Sequence, residues 1–169
     1  VTERPGAFPV SSALPPLRHG DSADHTPLIP FWHMKNAGDG GSTIENNWLE
    51  GFARQVVSGD TAPIWMRAFP GDVKAVWFNV LPVGWVGDWH PSPSLQWVIP
   101  LSGHWFIETQ DGKRVEMGPG DIHWGADIIA AQAPDIAHFS GQLGDVPCVQ
   151  LMIQFAHTSD TAVSAPTAA

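Results

Sequence analysis

The sequence predicts an all-β fold, a sandwich or barrel, and three observations carry that prediction. In residues 148–155, Val149, Leu151, Ile153 and Phe155 alternate with Gln150, Met152 and Gln154, the period-two pattern of a strand. Turn signals (Pro70-Gly71-Asp72, Asp111-Gly112, Pro119-Gly120-Asp121, Gly144-Asp145) divide the chain into short runs, at the roughly ten-residue spacing of all-β domains. Glycine and proline are plentiful, 17 and 16 of 169 residues, while charged residues make up 15%. That balance suits a turn-rich β chain better than a helical one.

Taken in order, residues 1–30 carry Pro5, Pro9, Pro15, Pro16, Pro27 and Pro30 with little periodicity. They read as an extended Pro-rich N-terminal arm suited to packing over a neighbouring subunit. His19, His25 and His33 read as arm or surface residues rather than ligands. Residues 35–43 form a Gly/Asn/Asp/Ser loop. Ser42-Thr43-Ile44-Glu45 has capping-box spacing, with Ser42 as N-cap and Glu45 reaching back, which predicts a short helix to about residue 52. A strand over 48–57 is the alternative. Ser58-Gly59-Asp60 is a turn. Residues 64–69 and 74–81 read as strands, the second apolar on both faces, as in a sheet covered on both sides. The Asp111-Gly112 pair predicts a hairpin. Ile122-His123-Trp124-Gly125 follows with His123 on a strand, then 148–155 as a strand and 157–169 as a frayed tail that includes His157. The organisation expected is an arm with a loop or short helix over 1–63, a barrel over 64–156 and a flexible tail over 157–169. No internal repeat is visible.

Composition excludes several functions. The net charge is −9 and Lys and Arg total 8, without a cluster, so the chain is not expected to bind nucleic acid, whose phosphates require grouped cations. No apolar run approaches the roughly 18 residues of a spanning helix, so no membrane partner is expected. A single cysteine, Cys148, rules out an internal disulfide and a Cys-based zinc cluster, and on its strand it reads as a small buried hydrophobe. No Gly-x-Ser-x-Gly elbow, P-loop or dinucleotide fingerprint occurs. Glu108, Asp111 and Glu116 read as solvated, and Asp121 as a cap on its own turn. Nine Trp and eight Phe with no Tyr supply a barrel core and a dimer face, or line an apolar ligand pocket.

The stretch 84–121 carries the candidate chemistry. His90, Ser92 and Gln96 are separated by even numbers, so on a continuous strand they share a face with Val98 and Pro100. Gly84, five residues, His90, Pro91, Ser92, three residues, Gln96, six residues and Gly103 resemble the first motif of the cupin superfamily, with Ser92 at the place of its second His and Gln96 at that of its Glu. Pro119-Gly120-Asp121 is similar to the opening of the second cupin motif, and Ala133-Pro134-Asp135-Ile136-Ala137-His138 to a displaced version of its end. The resemblance covers roughly residues 64–156 and sharpens the fold to a double-stranded β-helix, a jelly-roll barrel.

What the resemblance implies goes further. One divalent metal ion (Fe, Mn, Ni or Zn) would be held by His90, Gln96 and His138. An amide oxygen is a weaker donor than a carboxylate. His123 could replace the missing imidazole or move protons. Asp127 and Asp135 flank the displaced motif and could act as acid or base, Asp135 with His123 being the catalytic pair assigned here. Ser92, Val98 and Trp124 would meet the substrate, a small apolar or aromatic organic acid, ketone or phenol. The expected function is that of a metal-dependent cupin enzyme, an oxidoreductase or dioxygenase ahead of a lyase or isomerase. The alternatives are a metal-free cupin that binds a small ligand, and a metal-free isomerase or cyclase with His90 and His138 as acid and base. A homodimer is expected, because cupins pair through sheet edges. A cytoplasmic location is expected as well, with a removed signal peptide as the alternative for a chain that starts at Val1. His104 reads as structural.

Overall fold

The structure, a computed structural model, describes residues 26–156 and 158–163. His19, His25, His157 and most of the expected arm and tail lie outside the described residues. The regular elements are β1 (Ile29–Asn36), β2 (Ser42–Leu49), β3 (Ala53–Gln55), β4 (Ile64–Met66), β5 (Asp72–Leu81), β6 (Gln96–Ser102), β7 (His104–Thr109), β8 (Arg114–Met117), β9 (His123–Gly125), β10 (His138–Leu143), β11 (Cys148–Ala156) and a 3-10 turn, Asp160–Val163. Six strands form one sheet in the order β2-β1-β9-β6-β11-β5, three form a second in the order β10-β7-β8, and β3 pairs with β4. β1 runs parallel to β9, and the other pairs are antiparallel. The fold is all-β, compatible with a β-sandwich.

Side-chain alternation builds two cores from the large sheet. Trp32, Met34, Ile44, Val98 and Cys148 point inward and meet Trp105, Ile107, Val115 and Met117 of the small sheet. Phe31, Trp97, Trp124 and Phe155 point the other way and pack with Leu95, Val163 and the half-buried Phe69. Rings stack closely there: the Trp97 and Trp124 centroids are 4.7 Å apart and those of Phe69 and Trp124 are 5.0 Å apart. Each fully buried side chain of this size contributes about 1.5–3 kcal/mol by leaving water. β1, β6 and β9 are thus covered on both faces.

Several expectations held where local chemistry dictates the backbone. Asp111-Gly112 closes the β7–β8 hairpin, with Gly112 at φ 80° and its N–H donating to the Thr109 carbonyl at 2.8 Å. Asp111 is more engaged than a solvated residue. Burial alone would raise its pKa, but hydrogen bonds from Lys113, Thr109 and Thr43 outweigh this and hold it down at about 2.

The N-terminal region departs from expectation. Residues 29–36 and 42–49 are not arm, loop and helix but an antiparallel pair in register from Ile29↔Leu49 to Asn36↔Ser42. The loop between them is short and closed by side chains: Asn36 Oδ1 accepts from Gly38 N–H at 2.8 Å and Asp39 Oδ1 from Gly41 N–H at 2.9 Å. Ser42 does not cap a helix. Its hydroxyl donates to the Ala137 carbonyl at 2.5 Å and accepts from Gln110 N–H at 3.0 Å, so it ties β2 to later loops. Tertiary pairing has overridden the local capping signal. A boundary at residue 63 therefore runs through the large sheet, with β1 and β2 before it and β5, β6, β9 and β11 after it. His33, read as an arm residue, is buried on β1, with Nε2 2.6 Å from Asp160 Oδ1. The strand expected over 64–69 shrinks to β4, Ile64–Met66.

Candidate functional site

Between the two sheets lies a cavity of about 240 Å³. The large sheet supplies Asn79 and Leu81 (β5), Gln96 and Val98 (β6), His123 (β9), and Gln150 and Met152 (β11). The small sheet supplies Trp105 and Ile107 (β7) and His138 and Ser140 (β10), while Trp85 and His90 come from the segment between β5 and β6. Among the described residues, no Lys, Arg, Asp or Glu lines it. The walls are hydrocarbon, imidazole and amide, the mixture of a site for a small neutral molecule.

β6 begins only at Gln96, so the shared-face argument for His90 and Ser92 does not apply. His90 is set instead by a backbone bridge: its N–H donates to the His138 carbonyl and its carbonyl accepts from the His138 N–H, both at 2.9 Å. This places the two imidazoles side by side, centroids 4.4 Å apart. His90 Nδ1 lies 2.6 Å from the Asp88 carbonyl oxygen. A carbonyl can only accept, so Nδ1 carries the proton and in the neutral ring Nε2 is bare.

His138 is fixed in the same way by a stronger partner. Its Nδ1 is 2.6 Å from Asp127 Oδ2, and Asp127 is fully buried. The carboxylate takes a second bond at Oδ1 from Ser92 N–H at 3.2 Å. A buried carboxylate persists when hydrogen-bond donors satisfy it, and here an imidazole and a backbone amide do so. His138 Nε2 is thereby left as the free ring nitrogen of a side chain that lines the cavity.

His123 is completely enclosed, and neither ring nitrogen has a partner. Burial, followed by the neighbouring His138 and His33, pushes its pKa well below the ordinary histidine value, so it is neutral. Gly125, opposite Gln96 on β6, makes room for this cluster. A Cβ there would lie 2.8 Å from Ser92 Oγ and 3.3 Å from both Gln96 Cγ and His123 Cε1. Gln96 faces the cavity, but its Oε1 accepts from Gln154 Nε2 at 3.0 Å.

The cavity thus brings together His90, Gln96, Val98, His123 and His138. Ser92 stands behind it, buried, with its hydroxyl unpaired and its backbone on Asp127. Two of the expected residues are elsewhere. Trp124 follows His123 on a strand and so faces the outer core, where its Nε1 donates to Asp160 Oδ1 at 3.1 Å. Asp135 is exposed on a loop, where its carbonyl accepts from Gln110 Nε2 at 3.0 Å; Asp127 is the carboxylate that reaches an imidazole. His104 packs over Gly118, away from the cavity. Asn79, Trp105 and Gln150 were not singled out from the sequence. The one available signal was Gln150 and Met152 sharing the polar face of an otherwise apolar strand. Cys148 is a core residue whose thiol burial pushes up, the nearby Gln150 amide opposing.

The donor set meets a metal only part of the way. His90 and His138 each have Nδ1 tied to an acceptor, as metal-binding imidazoles do. Among the described residues, however, no three His, Cys, Asp or Glu side chains are grouped to hold an ion. The chain matches no protein-family model, and no curated protein matches it significantly.

Proposed function

We propose that this chain is a cupin-like jelly-roll protein that carries out general acid–base catalysis on a small, neutral, largely apolar molecule. The single observation that carries the reading is the buried Asp127–His138 pair, 2.6 Å long, beside a cavity without charged walls. An imidazole whose Nδ1–H is held by a carboxylate offers Nε2 as a base, and the carboxylate stabilises the imidazolium that forms. His90, with its ring against that of His138, is the second imidazole, which returns or relays the proton at the outer side. His123 is neutral and enclosed, and serves as a polar wall. The reaction class is isomerisation or cyclisation.

The test is proton exchange. A panel of small neutral ketones, lactones and phenols is incubated with the protein in heavy water and followed by NMR. Deuterium should enter at least one compound faster than in buffer, and both His138→Gln and Asp127→Asn should remove the excess. Exchange that survives His138→Gln refutes the assignment.

A second reading, one divalent metal with oxidoreductase or dioxygenase chemistry, is favoured by the two bare Nε2 atoms. Such an ion would supply Lewis-acid or oxygen chemistry to the bound molecule. His90 and His138 would hold it, but Gln96 already spends an oxygen lone pair on Gln154. The fit is incomplete, and no step is derived through a metal. Elemental analysis after purification distinguishes the two: stoichiometric Fe, Mn, Ni or Zn lost in His90→Ala supports the second reading.

We also propose a homodimer through β5. No described strand pairs with its outer edge, and Trp77 and Phe78, on opposite faces, are 52% and 74% exposed. An uncovered apolar edge strand is a template for pairing. Antiparallel pairing with a second copy sets Asp72 and Lys74 against the uncharged Asn79–Leu81 end, so like charges do not meet.

A further inference from the structure

Three residues that line the cavity carry nitrogen donors with no oxygen to receive them. Trp105 Nε1 is buried without a hydrogen-bond partner, and Gln150 Nε2 is buried with only the Cys148 sulfur near its amide; their residues are 5% and 3% exposed. Asn79 Nδ2 reaches only the Met152 sulfur, at 3.9 Å. Indole and amide N–H groups can only donate, and buried donors are nearly always satisfied in a folded protein. An acceptor inside the cavity that these residues line would satisfy them. The walls contain no cation to neutralise a permanent anion, so a carboxylate or phosphate is a poor occupant. Leu81, Val98, Ile107 and Met152 offer a hydrocarbon surface for the rest of the ligand.

We propose that Trp105 and Gln150, with Asn79 beside them, bind the oxygen of a neutral carbonyl compound, a ketone, ester or lactone. This rests on the acid–base reading of the same cavity and names its substrate class. The step balances without a further reactant. The C–H bond next to the carbonyl breaks, and its proton goes to His138 Nε2. The electron pair becomes the C=C bond of an enolate, whose charge settles on the oxygen between the two donors. Return of a proton to the same carbon restores the neutral base and gives the exchanged carbonyl, and in a β,γ-unsaturated compound its return to the γ-carbon moves the double bond. Donors already in place in a water-poor cavity stabilise that oxygen as its charge grows. Such donors would otherwise hold ordered water, for which the cavity also has room.

The experiment uses acetophenone and α-methylstyrene, which share shape and ring but differ in having C=O or C=CH₂. Binding is measured by calorimetry on the full chain, and exchange of the acetophenone methyl protons by NMR in heavy water. Trp105→Phe and Gln150→Leu each remove one donor and keep most of the volume. Each should weaken acetophenone about tenfold, the effect of one lost hydrogen bond, and leave α-methylstyrene within about twofold. Unchanged α-methylstyrene binding also shows that the variants still fold around the cavity. Equal effects on both probes, no effect on either, or no saturable binding of acetophenone overturns the proposal and leaves the donors to water. The acid–base reading fails separately: acetophenone would bind through the two donors, yet its methyl protons would exchange no faster than in buffer. Exchange that His138→Gln abolishes, with probe binding indifferent to Trp105→Phe and Gln150→Leu, would sink only the oxygen-binding assignment.

Discussion

Replacing Asp127 by Asn tests the pair on which the site is built. The substitution keeps the shape and removes the charge. In the native protein the carboxylate accepts from His138 Nδ1 at 2.6 Å and from Ser92 N–H at 3.2 Å. Asn can keep one acceptor for Ser92, but its NH₂ group then meets the His138 Nδ1–H, donor against donor. One charge-assisted hydrogen bond is lost, about 1.5–3 kcal/mol. In a chain of this length each kcal/mol moves the midpoint of thermal unfolding by about 2–4 °C, so a drop on the order of 5–10 °C follows. The imidazole can escape the clash only by moving its proton to Nε2, which removes the base. Where an imidazole is the base, loss of the correct tautomer costs up to about 10⁴ in rate. The assay pairs a thermal melt with nitrogen-detected NMR of the His138 ring. The control is Asp135→Asn on the exposed loop, where a change within about 0.5 kcal/mol is expected. If Asp127→Asn melts like the native protein and His138 keeps its proton on Nδ1, the reasoning is wrong, because the carboxylate would then not be what fixes the ring.

Other outcomes follow from the same geometry. Gly125→Ala sets a methyl 2.8 Å from Ser92 Oγ and 3.3 Å from Gln96 and His123; denaturant titration should show a loss of about 1–3 kcal/mol, as for an overfilled core, and probe binding should weaken with it. Asp111 has a folded pKa of about 2, below its ordinary value of 3.8. Its contribution is therefore complete above the unfolded value and disappears as pH falls through the folded one. Asp111→Asn should lower stability at neutral pH by less than about 1 kcal/mol, given its partial exposure, and flatten the decline between those two pH values in urea melts. Phe78→Lys on the exposed face of β5 should convert a dimer to a monomer by light scattering while leaving the melt of the monomer unchanged within about 0.5 kcal/mol; a native protein that is already monomeric refutes the β5 contact.

What could be read from the sequence depended on whether a signal was local. The β7–β8 hairpin follows from Asp-Gly chemistry, and β5 and β11 from unbroken runs of strand-forming residues, although β5, expected to be covered on both faces, is an edge strand that is largely exposed. β1 could not be read in this way. It is covered on both faces, so Ile29–Asn36 shows little alternation, and Pro30 and the preceding prolines suggest an arm. β2 carried a helix-cap spacing that only pairing with β1 cancels. In the site, His90, Gln96 and His138 all line the cavity, though the strand that was to align the first two does not exist. Choosing Asp127 over Asp135 required the path of the loop that buries one and exposes the other. Trp105 and Gln150 sit on strands whose facing was readable, but which face met the cavity depends on pairing between strands far apart in the chain.

The parallel contact of β1 with β9 joins Trp32 to His123 and Met34 to Gly125. During synthesis the first hairpin emerges early and then waits, one flank bare, until roughly ninety more residues have left the ribosome, a separation that slows folding. His123 and Gly125 close that flank, while His138, Ser140, Gln150 and Met152 of β10 and β11 complete the cavity only afterwards. Nascent chains halted ahead of β9 should therefore be sensitive to protease throughout the first hairpin, chains released just beyond it should gain protection there, and probe binding should wait for β11.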